Sequence, residues 1–336
     1  MTNTIDWADG PDGPAVVIVD QTLLPHSEEL VRLGSVAELV AAIQRLAVRG
    51  APALGVAGAL GVALAARTSA DPGADVAALR AARPTAVNLA RGVDRAAARL
   101  AEGPDAVLAE ALAVRDEDIA CSRSMGRYGA ELVTELLGPA PRLLTHCNAG
   151  ALACVTGGTA LGVVTALHAA GRLGAVIASE SRPLLQGARL TAWELQRAGV
   201  PFRLAVDGAG PFLMARGEVD GVILGADRIC ANGDVVNKVG SYAHALGAAR
   251  AGIPFLVVAP ESTVDMGTKS GADVEIEDRD GAEIVGSVAP AGTATVNPAF
   301  DVTPHDLVTA IVTDRRVVRL DRGETLAGVA LGEVRG

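Results

Sequence analysis

The stretch PRLLTHCNAGALACVTGGTALGVVTALHAAGRLGAVIASES, residues 141–181, decides the fold. Residues 142–146 are a short apolar run closed by the turn CNAGA, a helical stretch follows over about 158–170, and a second apolar run occupies 175–179. Strand, helix and strand in so short a span make a βαβ unit, whose strands lie parallel in one sheet. The alternation then continues. A helix over 185–198, a strand over 202–206, a short helix over 211–216, a strand over 220–224, a polar loop, a helix over 241–251 and a last strand over 255–259 predict a parallel, doubly wound α/β sheet.

Polar residues fall at the same place in each unit. Cys147-Asn148, Glu180-Ser181-Arg182, Asp207, Asp227-Arg228 and Glu261-Ser262-Thr263 each follow a strand's carboxyl end, the edge at which open α/β sheets bind ligands. Any one such loop is explained by helix capping and turn formation. Five in succession point to a site. The first part of the chain differs: a strand at 16–19 precedes helical patterns at 36–47, 51–66, 86–100 and 106–125, with the acidic Pro- and Gly-containing stretch 71–75 read as a loop. The predicted architecture is therefore a mainly helical N-terminal domain, 1–125, followed by a Rossmann-like doubly wound parallel sheet domain, 126–336.

Composition narrows the function. A chain of 336 residues, half of them hydrophobic but only 2% aromatic, suits small-residue helices packed closely on buried strands. A formal charge of −10 and so few rings exclude a general nucleic-acid-binding surface, leaving any important Lys or Arg as a local device for a small anion. The start MTNTIDWADGPDG is polar and acidic, unlike a signal peptide. The apolar run 51–66 falls short of the roughly 20 residues a membrane span needs and reads as a buried helix. Cys121, Cys147, Cys154 and Cys230 have no paired or metal-finger spacing, so reduced thiols in the cytoplasm are expected. There is no P-loop, GxSxG or HExxH, and Gly55-x-x-Gly58-x-x-Gly61 lacks the dinucleotide spacing. Neither a nicotinamide cofactor nor a metal is expected.

Several positions carry chemistry. Arg49-Gly50-Ala51-Pro52 opens the apolar helix, where free N–H groups beside a guanidinium make a phosphate cradle; an ordinary loop-to-helix junction would carry the same residues. Arg83-Pro84-Thr85 stands ahead of the next helix by the same logic. Cys147 sits where a strand gives way to a turn whose donors stabilise a thiolate, although a cysteine is commonly an inert core residue. His146 should face away from it, since adjacent strand residues point to opposite faces. Asp227, beside apolar strand ends, is expected to titrate high and serve as an acid, or else to pair with Arg228. Gln186 opens a helix within reach of a sugar hydroxyl, and Asn237-Lys238 offers an amide and an ammonium for a hydroxyl and a phosphate.

Together RGAPALG (49–55), RPTAVNLA (83–90), THCNAGALA (145–153), ESRPLLQGARLTAWEL (180–195), GADRICANGDVVNKVGSYAHAL (225–246), APESTVD (259–265) and NPAFDVTP (297–304) resemble the methylthioribose-1-phosphate isomerase family over nearly the whole chain. That family is related in fold to the alpha, beta and delta subunits of the translation initiation factor 2B exchange factor and to ribose-1,5-bisphosphate isomerases. The resemblance implies a cofactor-free, homodimeric aldose–ketose isomerase of methionine salvage, acting on 5-methylthioribose 1-phosphate. It implies Cys147 and Asp227 as the catalytic pair and Arg49, Gly50, Ala51, Arg83, Gln186, Asn237 and Lys238 as substrate ligands. The family's usual ETRP is ESRP here (Ser181), LAT is LAC (Cys154), and a common Tyr is replaced at Gly157 or Gly158. These are small changes near the site. A regulatory, non-catalytic subunit of the same fold is disfavoured by the presence of both Cys147 and Asp227. An isomerase for another capped pentose stays open, although a second phosphate would need a further basic cluster that the sequence does not offer.

Overall fold

The computed structural model describes residues 3–84, 86–286, 288–290 and 292–332. The chain divides into two compact units, one containing the residues up to Arg123 together with Gly150–Gly158, the other Ser124–Ala149 and the residues from Thr159 onward.

The first unit begins with an antiparallel sheet of β1 (Ile5–Ala8), β2 (Ala15–Val19) and β3 (Leu30–Leu33) in that order. Of these, only the strand around 16–19 is legible in the sequence. α1 (Val36–Gln44) starts in a reciprocal cap: Ser35 Oγ accepts the Glu38 N–H, and the Glu38 carboxylate accepts the Ser35 N–H. α2 (Ala51–Thr68) is apolar on nearly every side and mostly buried, as a core helix must be. It is the one described helix long and apolar enough to cross a membrane, but its burial inside the unit accounts for that composition. The stretch 71–75 is not a loop. Asp71 caps α3 (Pro72–Ala81) by accepting the Ala74 N–H at 3.1 Å, with Pro72 in the first turn, where its missing N–H costs nothing. α4 (Val87–Ala97) lies directly on α2, so close that a Cβ on Gly92 would fall 1.9 Å from the Gly55 carbonyl oxygen.

α5 (Pro104–Leu137) runs well past the predicted end at 125, and the division between the units falls within it. Gly126 and Gly129 lie within it as contact points in the second unit: a Cβ on Gly129 would meet Val163 at 2.3 Å.

In the second unit the elements follow as β4 (Arg142–Thr145), α6 (Ala160–Ala169), β5 (Ala175–Ser179), α7 (Ala192–Arg197), β6 (Phe202–Ala205), α8 (Gly210–Ala215) and β7 (Gly221–Leu224). β8 (Arg228–Cys230), β9 (Val235–Lys238), α9 (Ser241–Ala251), β10 (Phe255–Val258), β11 (Val264–Asp265), α10 (Ala282–Val285), β12 (Phe300–Thr303), β13 (Ala310–Val312) and β14 (Val317–Val318) complete it. The main sheet has the order β14-β13-β10-β7-β4-β5-β6. Every neighbouring pair is parallel except β13 with β14. From β4 the chain winds outward through β5 to β6, then returns to β7 and winds the other way through β10 to β13, which is the doubly wound order with its switch between β4 and β7. β10 is therefore not the last strand of this sheet. β7 and β10 are buried throughout, which is why their sequences read as continuous apolar runs, while the edge strand β6 is partly exposed.

The polar loop predicted after β7 is instead part of a four-stranded sheet, β11-β8-β9-β12. Its β8–β9 hairpin turns at Asn232-Gly233, where Gly233 takes φ 93°, a conformation that glycine adopts without strain.

Candidate active site

β4 and β7 are adjacent parallel strands, with Leu143 level with Gly221 and Leu144 with Val222. Carried forward, this register brings Cys147 level with Gly225, two residues before Asp227. The loops beyond the strands stay close, since a Cβ on Gly225 would lie 3.1 Å from the Ala149 Cβ. Cys147 and Asp227 thus leave the carboxyl ends of the two strands that flank the switch point.

The Cys147 turn is held from several sides. Cys147 has φ 60° and partial exposure. Its N–H donates to Ser181 Oγ at 2.6 Å, and its carbonyl accepts the Thr191 hydroxyl at 2.6 Å. Asn148 Nδ2 donates to Glu194 Oε1 at 2.7 Å. His146 and Cys147 both lie beyond the end of β4, so strand alternation does not fix their directions; His146 Nε2 donates to the Val239 carbonyl at 2.8 Å, and Nδ1 meets Ser179 Oγ at 2.7 Å. Burial lowers the His146 pKa, against the pull of the nearby Asp207 carboxylate. Asp207 follows β6. Burial alone would raise its pKa, but the Ser179 hydroxyl and the Arg182 and Ser181 amides outweigh this and hold it below the usual carboxylate range.

Asp227 is solvent-exposed in this chain, so the desolvation expected from its place beside apolar strand ends is not present. It lies past the buried end of β7, and its N–H donates to the Val236 carbonyl across the hairpin. Its neighbour Arg228 pairs with Asp265 at 3.3 Å. Gln186 is buried and its Oε1 has no hydrogen-bond partner, a costly arrangement unless a ligand hydroxyl supplies one. It precedes a π-helical turn, Gly187–Thr191, a local deformation that tends to occur at functional sites. Asn237 and Lys238 end β9, both buried; Asn237 Nδ2 donates to Ser241 Oγ at 2.9 Å, and Lys238 Nζ to the Ala299 carbonyl at 2.7 Å. Asp301 receives the Gly240 and Tyr242 amides at the start of α9, yet burial pushes its carboxyl up to about 6.

In the first unit, Gly50 takes φ 94° at the start of α2, and a Cβ there would lie 2.5 Å from the Ala153 Cα, so only glycine fits. Arg49 Nε donates to Gln21 Oε1 at 3.2 Å, and Gln21 Nε2 to the Leu152 carbonyl at 2.7 Å. Ala51 is the first residue of α2, and Arg83 lies between α3 and α4; Thr85 lies outside the described residues. Sequence reasoning placed Asp207 at a strand end without assigning it a partner, and missed Gln21, Ser179 and Thr191 in these networks. No local pattern marks them, because each acts on a residue distant in the chain. Among the described residues, no group of three His, Cys, Asp or Glu side chains is placed to hold a metal.

An open sheet in this order, with polar side chains hydrogen-bonded at the carboxyl ends of β4, β5 and β6, defines a small-molecule-binding doubly wound α/β protein. Residues 47–319 match the Initiation factor 2 subunit family. A methylthioribose-1-phosphate isomerase of Anaeromyxobacter dehalogenans is 53% identical over 325 residues, 94% of each chain. A probable bifunctional methylthioribose-1-phosphate isomerase/methylthioribulose-1-phosphate dehydratase of Nocardia farcinica is 52% identical over 94% of this chain, which spans only 59% of that protein. A 5-deoxyribose 1-phosphate isomerase of Moorella thermoacetica is 46% identical over 98% of each chain. The crystal structure of 5-methylthioribose 1-phosphate isomerase from Pyrococcus horikoshii has a TM-score of 0.87 at 41% identity, covering 95% of this chain and 93% of that one. The chain belongs to the Initiation factor 2 subunit family, among its methylthioribose-1-phosphate isomerases.

Proposed function

We propose that this chain is an aldose–ketose isomerase that converts 5-methylthio-α-D-ribose 1-phosphate into 5-methylthio-D-ribulose 1-phosphate in methionine salvage. The observation that carries the reading is the departure of Cys147 and Asp227 from neighbouring strand ends at the switch point. The phosphate on the anomeric oxygen prevents spontaneous ring opening, so the enzyme must break the bond between C1 and the ring oxygen. Asp227, protonated, gives its proton to that oxygen. Cys147, as thiolate, takes the C2 proton and returns it to C1 while the C2 hydroxyl gives its proton to the Asp227 carboxylate and becomes the carbonyl, so both groups are restored and the sugar is rearranged with no net oxidation. The competing route moves hydride directly from C2 to C1, with Cys147 stabilising charge. Because Asp227 is exposed in this chain, the water exclusion that either route needs has to come with the bound substrate.

Arg49, Gly50, Ala51 and Arg83 are proposed as phosphate ligands, with Gln186, Asn237 and Lys238 for the sugar and its phosphate; the partnerless Gln186 Oε1 supports its part. No cofactor is assigned. The protein is proposed to act as a cytoplasmic homodimer. Its four free cysteines support the compartment, and exposed Leu204 in β6, Val206 just after it, Phe212 on α8 and Tyr242 and Leu246 on α9 support the dimer.

The test is turnover of purified protein with Cys147→Ser and Asp227→Asn. Each should lower kcat by orders of magnitude in a folded protein, and a near-normal rate in either overturns the assignment. Running the reaction in deuterated water separates the routes, because label at C1 marks proton transfer. A second reading, favoured by the Moorella relative, is isomerisation of 5-deoxyribose 1-phosphate. An apolar pocket discriminates poorly by one small group, about 1–3 kcal/mol for a single methylene, so kcat/KM must be compared on both sugars.

A further inference from the structure

A chain of hydrogen bonds within the second unit leads from one carboxylate to the Cys147 turn. Asp207, following the edge strand β6, uses both oxygens: Oδ1 accepts the Ser181 N–H at 2.7 Å and Oδ2 the Arg182 N–H at 2.6 Å. Ser181, fully buried, is thereby held at φ 65°. Its Oγ accepts the Cys147 N–H at 2.6 Å and donates to the Ser179 carbonyl at 3.1 Å. Cys147 itself stands at φ 60°. A side-chain-bearing residue in the left-handed region is strained, and two joined by one hydrogen bond persist only where their surroundings over-determine them.

The surroundings leave little slack. A Cβ on Gly187 would fall 1.7 Å from the Ser179 carbonyl oxygen and 3.0 Å from Ser181 Oγ, so only glycine lets the following helical turn press this strongly on the Ser179–Ser181 corner. A simple turn cap needs one acceptor, and asparagine serves as well as aspartate there. Two amides shared between two carboxylate oxygens need the carboxylate, because the NH2 of asparagine cannot accept.

We propose that Asp207 is the positioning residue of Cys147: acting through Ser181, it holds the Cys147 turn in the one conformation that presents the thiol to the sugar. This deepens the reading of Cys147 as the reacting group and rests on it.

The test uses the full-length protein with Asp207→Asn, Ser181→Ala and Ser181→Thr. Alkylation of Cys147 by iodoacetamide is followed by peptide mass spectrometry, alongside kcat, KM and thermal unfolding. Asp207→Asn and Ser181→Ala should slow alkylation of Cys147 several-fold and lower kcat about tenfold to a hundredfold, the cost of a small misplacement of a reacting group, with KM little changed. Ser181→Thr, which keeps the hydroxyl, should recover most of what Ser181→Ala loses. Unchanged or faster alkylation together with unchanged kcat overturns the proposal. If Asp207→Asn does not fold, Ser181→Ala carries the test alone. Near-normal turnover by Cys147→Ser would sink the catalytic reading instead, and the alkylation rates would still report whether Asp207 holds the turn.

Discussion

Replacing Gln186 with methionine should make the protein more stable and less active. The Gln186 side chain is 7% exposed, and its Oε1 is buried without a partner. Stripping a buried acceptor of water without pairing it costs about 1–3 kcal/mol. Methionine has similar length, adapts to irregular space and carries no polar oxygen, so the substitution removes that penalty. Taking the low end, about 1 kcal/mol of gained stability raises Tm by about 2–4 °C in a domain of this size. The same atom is proposed to accept a substrate hydroxyl. Losing it strands that hydroxyl in the complex, and about 1.4 kcal/mol of lost transition-state binding is a tenfold fall in kcat/KM. Differential scanning calorimetry and steady-state kinetics on one preparation read both quantities. Opposite signs are required: a lower Tm with unchanged kcat/KM would mean that Gln186 stabilises the fold and touches no substrate.

Gly92→Ala should destabilise the protein even though alanine is the better helix former. The propensity gain of about 1 kcal/mol is outweighed by the overpacking cost of about 1–3 kcal/mol where the new Cβ meets the Gly55 carbonyl. Gly73→Ala in α3, whose Cβ would meet only Asp71 Oδ1 at 3.4 Å, is the control and should be neutral or stabilising; equal Tm shifts in the two variants contradict the argument. His244 shares the acid sensitivity with His146, whose pKa burial also lowers. Burial, with His146 adding to it, pushes the His244 pKa down to about 3 from 6.5, so between those values the unfolded chain binds the proton that the folded one refuses. Stability should therefore fall as pH drops through that window. His244→Leu, which also removes two partnerless ring nitrogens, should flatten the dependence of Tm on pH below 6.5; an unchanged slope would place the acid sensitivity elsewhere.

The parallel sheet was legible because burial on both faces leaves an unbroken apolar signature, clearest in β7 and β10. Where the reading failed, one residue pattern served two structures. Asp71, Pro72 and Gly73 have the composition of a loop and also of a helix start, and only the bond from the Ala74 amide to Asp71 decides between them. Gly126 and Gly129 look like the end of a helix, yet they let α5 approach Gly162 and Val163. The strands of the small sheets are no shorter than those of the main one, but most of them, such as β3, β8 and β11, mix buried with more exposed residues, so no unbroken apolar run marks them.

The site shows the same limit at a higher level. Each polar loop could be assigned to a strand end from the sequence, but which ends are neighbours is a property of sheet order. Cys147 follows β4 and Asp227 follows β7, with β5 and β6 between them in the chain, and those two strand ends are neighbours only because the winding reverses at β4. Ser181 makes the point at the scale of one hydrogen bond. In the sequence it is a minor departure from a family pattern; in the fold its hydroxyl takes the Cys147 amide while its own amide rests on Asp207, 26 residues away. A threonine or a serine makes that bond, and an alanine of nearly the same size does not. What the position requires is therefore an oxygen in a left-handed turn, a requirement that neither hydropathy nor periodicity can register.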